Sequence, residues 1–247
     1  MKDKYGIIGN PLGHSFSQGF FNEKFAKEGI DAEYLKFQIP EISEFPAIIS
    51  SNPKLKGLNV TIPYKELIIP FLDELDENTK EIGAVNVVKV IKDGSKTKLK
   101  GYNSDMYGFQ NSIAPLLQKH HTKALILGTG GASKAVVQGL KNLGIDYLLV
   151  SRKKQGNCIS YDNLDEKILK EYTIIINASP VGTFPNVNQC PQIPYQYLTN
   201  KHLLYDLVYN PAETAFLKNG KQNNAKTKNG AEMLELQAIK AWEIWSL

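Results

Sequence analysis

Cysteine is scarce: 247 residues hold only Cys158 and Cys190, far apart and in no CxxC pair. That excludes a disulfide framework and a cysteine-built structural metal site, and it suits a reducing cytoplasm. Long apolar runs are missing as well. None approaches the ~18 residues that cross a bilayer, and the opening MKDKYGIIGNPLGHS has no h-region of a secretory signal. A cytoplasmic protein without a membrane partner is expected. Net charge is only +4, from 29 Lys plus Arg against 25 Asp plus Glu. The lysines are dispersed, so no stripe for nucleic acid emerges, and small anionic molecules are the better partners. No His/Cys/Asp cluster has metal-ligand spacing, and no metal is expected. Repeats and low-complexity segments are absent. Arginine is rarest of all, with Arg152 standing alone.

What is present begins with a glycine cluster, GTGGASKAV from Gly128. The apolar run Ala124 to Leu127 before it suits a buried parallel strand. Val136, Leu140 and Leu143 after it recur at helical spacing, Gly144 offers a stop, and Tyr147 to Val150 supplies a second strand. Together they form a right-handed βαβ unit. Gly128 and Gly130 occupy the first two positions of a dinucleotide-binding turn, where missing Cβ atoms let backbone N–H groups approach a pyrophosphate. Ser133 replaces the third glycine. Enzymes that use NAD end the second strand with Asp or Glu for the ribose 2′-hydroxyl. Here the residues are Ser151-Arg152-Lys153-Lys154, whose hydroxyl, guanidinium fork and ammonium groups suit a 2′-phosphate. NADP(H) is the expected cofactor.

More than a hundred residues precede this unit and must form something else. Strands are predicted near Tyr5 to Ile8, Tyr34 to Phe37, Leu58 to Ile62, Val85 to Ile91 and Lys98 to Tyr102, the last two around a turn at Asp93-Gly94. Helices are predicted over Gln18 to Glu28, Glu41 to Ser50 and Lys65 to Leu75, the last interrupted by Pro70. Beyond the βαβ unit, strands at Tyr172 to Ile176 and Leu203 to Val208 open into loops at their carboxyl ends, where open α/β sheets place ligands. The last segment, Ala231 to Leu247, reads as an amphipathic helix with Leu234, Ala238, Ala241 and Trp245 in one row.

Asn59 and Thr61 lie two apart on a predicted strand and share a face. Ser15 and Ser17 would do the same if His14 to Ser17 is extended. Such neutral groups suit a small polyhydroxylated or carboxylated ligand. Lys65 follows four residues after Thr61, and Asp105 lies in GYNSDMYGF, read as a loop. No local spacing pairs the two.

The assembled motifs closely resemble those of the shikimate dehydrogenases: GNPLGHSFS, GLNVTIPYK, GAVNVV, GYNSD, GTGGASKAV, INASPVG, DLVYNP and NGAEMLELQA, in family order over nearly the whole chain. The resemblance implies an α/β protein with an N-terminal α/β substrate domain, a Rossmann-like NADP-binding domain and a C-terminal helix returning to the substrate domain. The expected boundaries are 1–104 with 231–247, and 105–230. It implies reversible NADPH-dependent reduction of 3-dehydroshikimate to shikimate, by a monomer or homodimer. Lys65 and Asp105 would be catalytic. Ser15, Ser17, Asn59, Thr61, Asn86, Tyr209 and Gln237 would bind substrate. Gly128, Thr129, Gly130, Gly131, Ala132, Ser151, Arg152, Lys153, Lys154, Asn177, Leu207, Gly230 and Met233 would bind cofactor. A broader quinate/shikimate dehydrogenase and a nonenzymatic NADP-binding sensor are the alternatives.

Overall fold

The computed structural model describes residues 2–13, 16–94, 96–152, 156 and 158–247. Ser15, Lys153 and Lys154, named above, lie outside the described residues. In chain order the elements are β1 (Asp3–Gly9), α1 (Phe16–Glu28), β2 (Ala32–Gln38), α2 (Phe45–Ser51), β3 (Leu55–Val60), α3 (Tyr64–Leu67), β4 (Glu74–Leu75), α4 (Glu77–Ile82), β5 (Val87–Asp93), β6 (Lys96–Tyr102), α5 (Ser104–Ile113), β7 (Lys123–Leu127), α6 (Gly131–Asn142), β8 (Asp146–Ser151), β9 (Ile159–Ser160), α7 (Glu166–Glu171), β10 (Ile174–Asn177), β11 (Leu203–Asp206), α8 (Ala215–Gln222), β12 (Lys226–Lys228) and α9 (Ala231–Ser246). The chain forms two compact units, Met1–Ser104 with Ala238–Leu247, and Asp105–Gln237. The first seven residues of α9 thus belong to the second unit, where Met233 packs into the core with Phe109 and Tyr205.

The first unit is built on a six-stranded sheet of order β2-β1-β3-β5-β6-β4. β1 pairs in parallel with β2 and β3, and β5 runs antiparallel to β3 and β6. Because strand side chains alternate faces, Ile8, Leu58, Val60 and Val88 pack with Phe45 and Ile48 of α2. Tyr5, Ile7 and Val87 face the other way, onto Phe21 and Phe25 of α1 and Ala241 and Trp245 of α9. The Trp245 indole N–H donates to the Val88 carbonyl at 3.1 Å. A Cβ at Gly57 would sit 2.3 Å from that ring, so only glycine lets the indole lie against β3.

Between β3 and β5 the structure differs from the sequence expectation. The helix predicted over Lys65 to Leu75 ends after one turn: Pro70 stands in a separate 3-10 turn, Ile69–Phe71, and β4 follows. The helix α4 was not anticipated, although its ends are conventional. The Asp76 side chain accepts the Asn78 amide at the N-terminus, and Gly83 closes the C-terminus with φ +66°.

The second unit is an all-parallel six-stranded sheet, β12-β11-β10-β7-β8-β9. Counted within the unit, this is the doubly wound order 3-2-1-4-5-6, whose direction of winding reverses between its first and fourth strands, here β7 and β10. Ala124, Ile126, Ile174 and Ile176 face α5 and α6, whereas Leu125, Leu127, Ile175 and Leu204 face α7 and α8. Both faces are covered, which is why the strands read as unbroken apolar runs.

Just before the amino ends of β7 and β11 two buried histidines are held neutral. Nδ1 of His121 accepts the Gln118 amide at 3.0 Å, and Nδ1 of His202 accepts the Thr199 amide at 3.0 Å. Each Nε2–H then donates to a carbonyl, of Lys201 and Leu169 respectively. Burial pushes both pKa values down, and a proton on Nδ1 would face an N–H donor. The unfolded chain takes up these protons below about pH 6.5 while the folded one resists. Stability is therefore flat above that pH and lost as pH falls below it, by at most about 1.4 kcal/mol per histidine per unit. Urea unfolding between pH 8 and 5 should show this fall. His121→Gln/His202→Gln should abolish it and leave the opposite slope of Asp206, whose carboxyl burial pushes up to about 6.

Candidate functional site

In the first unit, polar side chains gather where β1 and β3 end. Gly9 closes β1, and a Cβ there would come within 2.4 Å of Thr61 Cγ2, so the two strand ends approach closely only because residue 9 is glycine. The Thr61 amide donates to the Ile8 carbonyl and the Asn10 amide to the Ile62 carbonyl, fixing both exits. The following loop is pinned by Gln38, which accepts the Leu12 amide at 2.8 Å, and by Lys36, which donates to the Gly13 carbonyl at 2.7 Å.

Beneath these exits runs a buried hydrogen-bonded chain. The Tyr34 hydroxyl donates to Asn59 Oδ1 at 2.6 Å, and Asn59 Nδ2 donates to the Asn86 carbonyl at 3.4 Å. Asn86 Oδ1 accepts the Ser104 amide at 2.7 Å, while its Nδ2 donates to Ser104 Oγ at 3.0 Å. Ser17 bonds to the Tyr34 hydroxyl, opposing the strong upward push of burial on that phenol. Ser17, Asn59 and Asn86 are thus brought together, with Thr61 half-buried beside them. Ser17 is helical, in the first turn of α1, so the extended alternation expected for His14 to Ser17 does not hold at this residue. Tyr34 and Ser104 complete the chain and escaped the sequence reading, because the links span 18 to 27 residues.

Lys65 is the second residue of the single-turn α3. Its carbonyl accepts the Val85 amide at 2.7 Å, and the preceding Tyr64 anchors the turn through its hydroxyl on the Ile39 carbonyl at 2.6 Å. Asp105 belongs to the second unit and lies in the first turn of α5, not in a loop. Met106, Phe109 and Ile113, buried at i, i+3 and i+7, carry the helical period that marks this segment.

In the second unit, the two loops at the winding reversal leave β7 and β10. Gly128 has φ +119°, and a Cβ there would stand 3.2 Å from the Ala178 backbone, so the glycine turn lies directly against the loop from β10. Gly130 caps α6 without a side-chain bond, a Cβ on it would meet nothing within 4 Å, and Thr129 and Gly130 are exposed. The first-turn amides of Gly131 and Ala132 follow it, at the positive end of a 12-residue helix. Ser133, buried in the third-glycine position, folds its hydroxyl back onto the Gly130 carbonyl at 2.6 Å. The turn fits a pyrophosphate.

Further along the same edge, Ser151 pairs in register with Ser160 at the ends of β8 and β9. Arg152 follows, exposed, with its guanidinium near enough to Tyr161 to oppose the upward push of burial on that phenol. A hydroxyl, a fixed cation and an aromatic ring therefore share one corner. On the other side of the reversal, Asn177 is fully buried and all four of its side-chain bonds stay within the protein. Its Oδ1 accepts the Ser179 amide and hydroxyl, and its Nδ2 donates to Val181 and Asp206. It holds the loop that passes under Gly128. Leu207 lies against Gly230 so closely that a Cβ at residue 230 would stand 2.1 Å from the Leu207 carbonyl oxygen. On α9, Met233 and Gln237 flank Gly108 of α5, where a Cβ would meet the Met233 carbonyl at 2.5 Å. Tyr209 is exposed on the loop after β11. Among the described residues no group of three or more His, Cys, Asp or Glu could hold a metal ion, and no helix is long and apolar enough to cross a membrane.

A family model described as the shikimate dehydrogenase substrate binding domain matches residues 7–88. The NADP(+) shikimate dehydrogenase of Methanosphaera stadtmanae is 37% identical over 98% of this chain and 90% of its own length. That of Clostridium beijerinckii is 40% identical over 98% and 91%. A shikimate dehydrogenase crystallised with NADP+ superposes with a TM-score of 0.88 at 32% identity, covering 99% of this chain and 90% of the other. On sequence along its full length and on fold, the chain belongs to the shikimate dehydrogenase family.

Proposed function

We propose that this protein is an NADP-dependent shikimate dehydrogenase that interconverts 3-dehydroshikimate and shikimate. The observation that carries this reading is the glycine turn seated at the winding reversal of a doubly wound sheet, with Ser151 and Arg152, in place of an acidic residue, at the end of the neighbouring strand. The first unit is the substrate domain and the second the NADP domain, as the match of residues 7–88 supports.

NADP(H), when bound, supplies or accepts the hydride. Gly128, Thr129, Gly130, Gly131 and Ala132 hold its pyrophosphate, and Ser151, Arg152, Lys153 and Lys154 its 2′-phosphate. Asn177, Leu207, Gly230 and Met233 shape the remaining slot. Ser15, Ser17 and Tyr209 bind the substrate carboxylate, and Asn59, Thr61, Asn86 and Gln237 orient its ring. Lys65 holds the reacting oxygen: its ammonium gives up a proton as that oxygen gains charge in reduction, and the neutral amine takes a proton from the hydroxyl in oxidation. Asp105 holds the neighbouring oxygen.

The test follows NADPH absorbance with 3-dehydroshikimate and, in reverse, with shikimate and NADP+. The reading requires cofactor-dependent turnover with a kcat/KM for shikimate above that for quinate. Preference for quinate would make the chain a quinate dehydrogenase, and tight NADPH binding without turnover would make it a sensor.

A further inference from the structure

The segments that leave β10 and β11 converge on one carboxylate, Asp206, the last residue of β11 and fully buried. Its Oδ1 accepts from Asn177 Nδ2 at 2.9 Å and from the Val208 amide at 3.0 Å, and its Oδ2 accepts the Thr214 hydroxyl at 2.6 Å. Those donors belong to three separate segments: the end of β10, the exit from β11 and the N-cap of α8. Each passes the constraint on. Asn177 holds Ser179 and Val181, the Leu207 amide donates to the Asn177 carbonyl at 3.0 Å, and the Gly230 amide donates to the Val208 carbonyl at 3.2 Å.

A buried carboxylate is an expensive way to hold loops. Burial raises the pKa of Asp206 to about 6 even though Thr214, Val208 and Asn177 all donate to it. Across the window from about 6 down to the ordinary carboxylate value near 4 the folded state binds more protons than the unfolded one, so the charge costs stability at neutral pH. Its ionisation at neutral pH thus works against folding, and the loops it holds border the slot assigned to the nicotinamide half of the cofactor. Resting on that assignment, we infer that Asp206 is a positioning residue for the cofactor: its carboxylate, shared by Asn177, Val208 and Thr214, sets segments 177–182 and 207–210 and through them the affinity for the nicotinamide half.

The ionisable groups packed around Asp206 are few. Tyr195 lies close enough that Asp206 adds to the upward push on its phenol from burial and Cys190. Beside α8 Glu213 pairs with Lys221, and beyond β12 Lys228 pairs with Glu232. Protonation of Asp206 as pH falls through about 6 therefore loosens the three-way bond without a nearby cation to restore it among the described residues.

The experiment compares NADPH with adenosine 2′,5′-bisphosphate, which has the phosphorylated adenosine end and no nicotinamide. Binding of both is measured, by nicotinamide fluorescence and by calorimetry, to the wild type, Asp206→Asn and Thr214→Val. Asparagine keeps an acceptor for Asn177 and Val208 but presents a donor to the Thr214 hydroxyl. Both variants should bind NADPH about tenfold more weakly, the worth of one hydrogen bond to a charged group, and the bisphosphate as the wild type does. Asp206→Asn should melt no lower than the wild type. The wild-type ratio of the two dissociation constants, NADPH over bisphosphate, should rise from pH 7 to 5 relative to the same ratio in Asp206→Asn. Protonation of the 2′-phosphate near pH 6 affects both ligands, whereas the 5′-phosphate monoester titrates only in the bisphosphate, and Asp206→Asn carries both effects without the carboxylate. Unchanged NADPH affinity, equal weakening of both ligands with a lower melting temperature, or a wild-type ratio that moves with pH as that of Asp206→Asn does would each overturn this inference alone. Failure of the wild type to bind either ligand would overturn the cofactor reading and this inference with it.

Discussion

Lys65→Ala should lower kcat for shikimate oxidation by about 10²- to 10⁴-fold, the usual contribution of a positioned proton-transfer group, and leave NADPH binding unchanged. The local structure makes the substitution clean. α3 is held by the Tyr64 hydroxyl on the Ile39 carbonyl and by the Val85 amide on the Lys65 carbonyl, neither of which involves the lysine side chain. Truncation therefore removes the amine and leaves both of these bonds in place. Lys65→Arg keeps the charge but cannot give up a proton near neutral pH, so it should retain substrate affinity better than alanine and recover little turnover. Steady-state kinetics with fluorescence titration of NADPH separates the two effects. Wild-type kcat in Lys65→Ala, or an equal loss of cofactor affinity, would remove Lys65 from the proton-transfer role.

What the sequence made legible was local. The β7-α6-β8 segment announces itself because a buried strand, a glycine turn and a helix follow one another within thirty residues, and each leaves its own periodicity. Arg152 is legible for the same reason, being the residue after a strand that the glycine turn identifies. α5 was lost because GYNS reads as a turn, and its start is set from a distance: Asn86 Oδ1 takes the Ser104 amide, 18 residues on in the chain. Its buried stripe of Met106, Phe109 and Ile113 carries the helical period only after those polar residues. Asn59, Asn86 and Asp206 fall within motifs, but the bonds that join the Tyr34-Asn59-Asn86-Ser104 chain and the Asp206 hub leave no sequence signal. Their members are ordinary polar residues, and only the pairing of β2 with β1, β1 with β3 and β3 with β5, or of β10 with β11, brings them together. The same holds for Asn177: a motif can mark it, but only the structure shows its side chain spent on Ser179, Val181 and Asp206.

Arg152→Ala should weaken NADPH by about 10- to 100-fold, equivalent to the ~1.5–3 kcal/mol of a hydrogen bond to a charged group, and leave NADH nearly untouched. The two cofactors differ only in the 2′-phosphate, and Arg152 is the chain's single guanidinium. It stands where β8 ends, next to the Ser151–Ser160 pair and near Tyr161. Arg152→Lys should fall between the wild type and alanine, because an ammonium keeps the attraction but not the two parallel N–H donors. Salt should narrow the wild-type preference for NADPH, since the site is exposed and its charge is screened over about 8 Å at physiological ionic strength. kcat/KM for NADP+ and for NAD+ at saturating shikimate, measured for the three proteins at low and high salt, reads all of these. Equal losses for both cofactors in Arg152→Ala would mean that Arg152 holds the loop and not the phosphate, and the choice of cofactor would then have to come from elsewhere along that strand end.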